Sequence, residues 1–394
     1  MFDLSAVQAA LQQMNLDGWL LYDFRGLNIL AKRVVCLPEN QMLSRRWFYY
    51  VPAKGTPQKL SHKIEPAALD QLPGDNHIYL RWQELEAGVK KILGNAKKIA
   101  MEYVAFNRNP YISRVDAGTI EIVKALGLEI VPSGDLIQLF EACWSDEQWE
   151  MHKQACVHTD SAYTVAANFI ASEIRAKGFT TEIDVQTRIM KHFADNGLTT
   201  YSPPIVGEGP HSGDPHYSPS LDHNFKIEKG DFVLIDLWAK VNKPNAVYSD
   251  LTRTFFVGTE VPEKYTKVFK VVAAARDAGI QIVKDHFKKG IPLYGWQVDD
   301  ATRKVIDDAG YGEYFCHRTG HSIGQEVHGN GAHMDNLETR EERRVLPRTC
   351  FSIEPGIYRA EFGVRSEINV YVDAKNEVHV TAGELQQEII KIVV

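Results

Sequence analysis

The sequence predicts a two-domain α/β chain whose second domain has a pseudo-two-fold arrangement. Three observations predict it. The chain has 394 residues, more than one domain usually holds. The order of elements changes near residue 144. After that point the same layout of helices and strands occurs twice. The domains are placed at 1–143 and 144–394.

The first domain alternates in type. "SAVQAALQQMN" has a helical pattern that stops near Gly18, and "WLLYDF" reads as a strand. "RRWFYYV", "HIYLRW", "KKIAMEY" and "LEIVP" follow as strands, with "QELEAGVKKIL" and "SRVDAGTIEIVKAL" as helices between them. That order predicts an α/β domain with a mostly buried sheet. It contains no glycine-rich phosphate loop.

The second domain opens at Ser145, which forms a capping-box pattern with Gln148. A long helix should run to about Lys177 and stop at Gly178. A second helix, about Thr181 to Asp195, should stop at Asn196-Gly197. A Pro/Gly/His loop leads to two apolar strands, "DFVLIDLWAK" and "AVYSDLTRTFFVG". The layout then recurs. One long helix ends at Gly290 and a shorter one at Gly310. A glycine and histidine loop leads to the strands "TCFSIEPGIY" and "GVRSEINVYV". A repeated layout puts a site where the two strand pairs meet.

Bulk properties exclude some classes. The net charge of −7 argues against nucleic acid as partner. No apolar run approaches the ~18 residues of a membrane span. The segment "MFDLSAVQAA" has no basic start, so no secretory signal is expected. Five scattered cysteines without a CxxC pair fit reduced thiols in a cytoplasmic protein. Cys316, beside His317, is read as a buried, inert thiol.

"HRTGHSIGQEVHG" (residues 317–329) holds three histidines and three glycines. His317 and His321 are four apart, as in the zinc helix HExxH, but Arg318 stands where that motif has its Glu. Glycine is also costly inside a helix. A glycine-bent loop or strand edge, with backbone close to something, is the better expectation.

The strand pairs carry acids in apolar surroundings. Asp236 and Asp250 lie in the first pair, Glu354 and Glu367 in the second. One such acid is more often an ion-pair partner. Four in matching places, unpaired, would be very costly to bury. Arg253 and Arg365 are on hand as counter-charges, and divalent cations would do more. Carboxylates with imidazole suit Mn²⁺, Co²⁺, Fe²⁺ or Zn²⁺, and an oxygen excess leans toward the harder ions.

The motifs "IDL…YSDLTRTFFVG", "HRTGHSIGQEVHG", "SIEPGIY" and "GVRSEINVYV" together resemble the pita-bread metallopeptidases of family M24. Within it they are similar to the aminopeptidase P and prolidase branch. The resemblance implies a creatinase-like N-terminal domain and a pita-bread catalytic domain. It implies two divalent metal ions, Mn²⁺ first, held by Asp236, Asp250, His321, Glu354 and Glu367. Asp250 and Glu367 would bridge them. His328 would touch the carbonyl oxygen or oxyanion, and His216 in "DPHYSP" would assist the leaving group or the carbonyl. Glu354 would also shuttle a proton. Arg365 would hold Glu367 or a substrate carboxylate, facing as Glu367 does if both lie on one strand. His317 would stand behind the ligands.

The implied reaction is hydrolysis of the bond before proline by a metal-bridging hydroxide, as in Xaa-Pro dipeptidases and aminopeptidases. The substrate would be a small peptide with proline second, and the protein a homodimer. A creatinase-like amidinohydrolase and a non-catalytic binding protein are the rival readings, but all five ligand types are present. Trp238 replaces the family's small residue two after the first Asp, and Ile368 replaces a common acid. The stretch between Asp236 and Asp250 is also longer than usual. Trp238 therefore bears on substrate shape.

Overall fold

The structure is a computed structural model that describes residues 2–38, 41 and 43–394. The chain divides into two compact units, Met1–Glu141 and Ala142–Val394.

The first unit is built on a six-stranded mixed sheet. Its order is Asp75–Tyr79, Gln58–His62, Trp47–Pro52, Gly18–Asp23, Lys98–Met101 and Glu129–Pro132. Gly18–Asp23 is buried throughout. Its side chains alternate between two cores: Trp19 and Leu21 join one cluster, Leu20 and Tyr22 the other. The predicted strand "HIYLRW" ends early, at Tyr79, and Trp82 starts a helix. Glu84 causes the switch by accepting from the amides of Leu80 and Arg81 at 2.8 and 3.2 Å, which caps that helix. The strand Gln58–His62 and the helices Ile29–Val34 and Gly134–Glu141 were not expected.

The second unit begins with α1 (Asp146–Lys177) and α2 (Glu182–Asp195). The Ser145–Gln148 capping box forms, and Gly178 ends α1 in the left-handed region, at φ 89°. Strands β1 (Ile205–Glu208), β2 (Phe232–Val241) and β3 (Ser249–Val257) follow. The second half repeats this with α3 (Glu263–Lys289) and α4 (Gly295–Asp308). Its strands are β4 (Ser322–Ile323), β5 (Cys350–Ile353), β6 (Gly356–Arg359), β7 (Phe362–Arg365), β8 (Ile368–Val372) and β9 (Val378–Thr381). A last strand, β10 (Ile390–Ile392), pairs with β3.

The second strand pair departs from expectation. Each predicted strand is broken in two, between β5 and β6 and between β7 and β8. Pro355 lies in the first break, where it has no amide to give a ladder. β5 then pairs with β8, and β6 with β7. Glu354 and Glu367 sit at the breaks, not within strands.

α1 lays Ala155, Thr159, Ala162, Ala166 and Ile170 against β2 and β3, at helical spacing of three and four. On the same helix His152 is fully buried. Its Nδ1 lies 2.8 Å from the Tyr248 carbonyl and its Nε2 lies 2.8 Å from the Thr381 hydroxyl. A neutral ring serves both, donating to the first and accepting from the second. Burial pushes its pKa down to about 4. The ordinary value is about 6.5, so the unfolded chain takes up this proton first. The stabilisation is therefore complete above pH 6.5 and is lost as pH falls toward 4. The wild-type stability advantage over His152→Gln should shrink across that window by up to about 3 kcal/mol. Parallel stability curves for the two proteins would show that the ring is not held neutral.

Candidate metal centre

β2 and β3 set one side of the centre. Their antiparallel register pairs Asp236 with Thr252 and Trp238 with Asp250. Strand alternation then puts all four side chains on one face. Arg253 projects from the opposite face. It donates to backbone carbonyls of Glu367 at 2.7 Å and of Ala382 at 3.3 Å, so it is not the counter-charge expected from the sequence.

The second half supplies the rest. Glu367 follows β7, and Thr252 donates to its Oε2 at 2.8 Å. Glu354 follows β5. His321 Nε2 faces both Asp250 Oδ2, at 3.3 Å, and Glu354 Oε1, at 3.2 Å. The other ring nitrogen, Nδ1, lies 3.2 Å from the Ser322 carbonyl, which orients the ring. Asp250, His321 and Glu367 each offer a ligand atom, all within 4.8 Å of one another.

The glycines of the histidine loop permit this closeness. Gly320 forms an antiparallel bridge with Met334, and an added Cβ there would lie 2.0 Å from the Ser352 carbonyl oxygen. The segment is thus a strand edge with close backbone approach, as expected.

The electrostatics are those of a site short of positive charge. Burial, with repulsion from Asp250, Glu354 and Asp236, pushes Glu367 far up. Burial likewise raises Asp250, and raises Asp236 to about 7 despite Arg365. Burial also opposes ionisation of Glu354, but His321, His317 and Arg365 outweigh it and its pKa falls. Burial acts against protonated His321, and the hydrogen bond to Asp250 reverses it. One buried oxygen, Asp236 Oδ1, has no hydrogen-bond partner. An orphaned carboxylate oxygen beside repelling carboxylates fits a bound cation. The donor set is carboxylate with one imidazole, which suits a divalent ion.

Arg365 is buried but does not hold Glu367 directly. It pairs with Asp236 through Nη2, and donates to Thr252 Oγ1 at 3.0 Å and to the Tyr358 hydroxyl at 2.9 Å. It reaches Glu367 only through Thr252. The strand break after Arg365 removes the alternation that suggested a direct contact. Tyr358 in turn lies 2.7 Å from His317 Nε2. His317 therefore stands behind the carboxylates, and burial lowers its pKa to about 4. Thr252 and Tyr358 were missed in the sequence. Thr252 had a signal, since it is two residues from Asp250 on a strand.

His328 is exposed, with its ring 4.3 Å from that of His321. The charge on a protonated His321 lowers its pKa to about 3, which leaves it a neutral imidazole near neutral pH. His216 is exposed on the loop before β2. Trp238 stacks with Tyr201 at 6.0 Å, and its buried Nε1 has no partner. Cys316 is exposed, not buried as expected.

Residues 150–374, more than half of the chain, match the model of metallopeptidase family M24. The chain belongs to this family. It is 31% identical over 216 residues to an Xaa-Pro dipeptidase of Lactobacillus delbrueckii subsp. lactis, covering 55% of this chain and 53% of that one. It is 29% identical over 265 residues to the probable dipeptidase PepE of Mycobacterium bovis, covering 66% and 64%. The chain thus spans about half to two thirds of the length of these relatives. Among solved structures, dipeptidase PepE from Mycobacterium ulcerans superposes with a TM-score of 0.67 at 25% identity, covering 99% of this chain and 97% of that one. The fold is accordingly the two-domain α/β fold of the prolidase and aminopeptidase P structures, with a pita-bread second unit.

A ligand shared by two ions serves both. If Glu367 is shared by two ions, as the resemblance implies, Glu367→Ala should lower metal content from two ions per chain to nearly none, measured by elemental analysis after dialysis. Two tightly held ions in the variant would remove Glu367 from the site.

Proposed function

We propose that this chain is a dinuclear metallopeptidase that cleaves the bond before proline, as an Xaa-Pro dipeptidase or Xaa-Pro aminopeptidase. The observation that carries this reading is the convergence of Asp250, His321 and Glu367 within 4.8 Å, with Glu354 3.2 Å from His321 and Asp236 repelling Glu367, and with too little positive charge to balance them. These five residues would hold two divalent ions, Mn²⁺ in preference given the oxygen-rich donors. Asp250 and Glu367 would be shared between the ions. The names of the Lactobacillus and Mycobacterium relatives support the peptidase reading.

Two ions in such a site make water acidic near neutral pH and polarise a carbonyl. The chain's own groups do the rest. Glu354, beside the water's expected place, accepts the proton of the attacking water at a carboxylate oxygen. His328, neutral, donates an N–H to the oxygen on which charge develops. The proton taken by Glu354 passes to the leaving nitrogen with His216 assisting, since a proline nitrogen has no proton of its own in the peptide. Arg365 orients Asp236 and offsets part of the burial that raises its pKa. Trp238, the cross-strand neighbour of Asp250, walls the space beside the ligands and limits the residue that precedes proline. The same reading makes the protein a cytoplasmic homodimer, which sedimentation at micromolar concentration tests.

Mn²⁺-loaded protein should hydrolyse Xaa-Pro or Xaa-Pro-Yaa peptides, lose this activity with a chelator, and regain it with Mn²⁺ or Co²⁺. Full activity after metal stripping, or hydrolysis of a guanidino compound such as creatine in place of peptides, would overturn the reading.

The two histidines outside the ligand set separate catalysis from metal storage. His328→Ala should lower kcat by roughly 10²–10³-fold, as for loss of an oxyanion-hole donor, with metal content unchanged. His216→Ala should behave likewise, with a larger effect on KM because its loop is more exposed. Wild-type kcat and KM in both metal-replete variants would make these residues bystanders.

A further inference from the structure

Glu182 is the first residue of α2 and is fully buried. A carboxylate at a helix N-terminus is favoured by the helix dipole, but that site is normally wet. This one is dry and its partners come from elsewhere. Its oxygens accept from the Glu208 amide at 2.7 Å, the Phe225 amide at 2.7 Å, the His211 Nδ1 at 2.9 Å and the Tyr217 hydroxyl at 2.6 Å. All four partners belong to one stretch, residues 208–225. Glu208 and Phe225 are its two ends. His211 and Tyr217 lie in its interior, with their rings stacked at 4.1 Å. His216 sits on this stretch, adjacent to Tyr217.

The second half of the unit contains a counterpart. Asp299 on α4 is fully buried and accepts from the Thr319 amide at 2.9 Å and the Asn336 amide at 2.8 Å. Those two amides bracket the loop that carries His321 and His328. Each half therefore uses a buried carboxylate on its second helix to close a loop that bears the site histidines.

We infer that Glu182 is a positioning residue that acts through His216: it holds the 208–225 loop so that an exposed imidazole keeps a fixed place beside the metal centre. The inference rests on the reading of His216 as the group that serves the leaving nitrogen. The His216 amide donates to Asp214 Oδ1 at 3.0 Å, and the next residue along the chain, Tyr217, is tied to Glu182. A hydroxyl bonded to a buried carboxylate is a charge-assisted bond, stronger than a neutral one. Replacing Glu182 by Gln keeps the shape, but one acceptor oxygen becomes an amide that faces N–H donors.

The test uses the Mn²⁺-loaded full chain. Glu182→Gln should lower kcat/KM on the peptide that wild type cleaves by about 10- to 100-fold, the cost of misplacing a group by about an ångström. In a His216→Ala background the same change should cost less than about twofold, because its target is already gone. Tyr217→Phe, which removes only one of the four bonds, should show the same pattern at smaller amplitude and guards against a Glu182→Gln variant that fails to fold. Amide hydrogen exchange across residues 208–225 should speed up in both variants while metal content stays at the wild-type level. Losses that multiply in the double variant, or unchanged exchange in that stretch, would overturn the inference. If the peptidase reading itself fails, wild type turns over no peptide, while the exchange measurement still reports on Glu182.

Discussion

The structure of the second unit depends on mutual repulsion among Asp236, Asp250, Glu354 and Glu367. Four carboxylates in a dry pocket have one arginine, Arg365, and one imidazole, His321, among them. Ionised groups removed from water without compensation cost many kcal/mol. The fold meets this cost in two ways. It raises the pKa of Asp236, Asp250 and Glu367, so that part of the cluster can hold protons. It also leaves Asp236 Oδ1 unbonded, which offers a lone pair to a cation. Metal binding would then release protons and join the two halves of the repeat, since Asp236 and Asp250 come from the first and His321, Glu354 and Glu367 from the second.

Surrounding parts serve that arrangement. Thr252 donates to Glu367 and accepts from Arg365, so one hydroxyl links both halves. The Asn369 side chain bonds the backbone of Asp250 on both its donor and acceptor sides, which fixes β3 against β8. Behind the carboxylates, Arg365, Tyr358 and His317 form a buried line of hydrogen bonds. In front stand exposed His328 and His216, on loops whose ends are tied to Asp299 and Glu182.

Much of this was legible in the sequence because the signals are local. The Ser145–Gln148 box, Gly178 and the apolar runs around Asp236 and Asp250 act within a turn or a strand. So does the strand alternation that puts Trp238 and Thr252 beside the acids. Other features were hidden for physical reasons. Two breaks, one at Glu354-Pro355 and one at Ser366-Glu367, divide two strands into four, and an apolar pattern does not mark where a strand changes partner. Arg253 and Arg365 look alike in sequence, but strand parity sends Arg253 to backbone carbonyls. The partners of Glu182 lie up to 43 residues away, beyond any periodicity. The exposure of Cys316 depends on the packing of a loop, which its neighbours in sequence do not report.

The central claim is that the carboxylate cluster is built around two cations shared by Asp250 and Glu367. Anomalous diffraction from crystals of the Mn²⁺-loaded protein tests it most directly. The account predicts two peaks about 3.5–4 Å apart, with Asp250 and Glu367 touching both. A single peak away from these two residues, or none at saturating Mn²⁺, would contradict it.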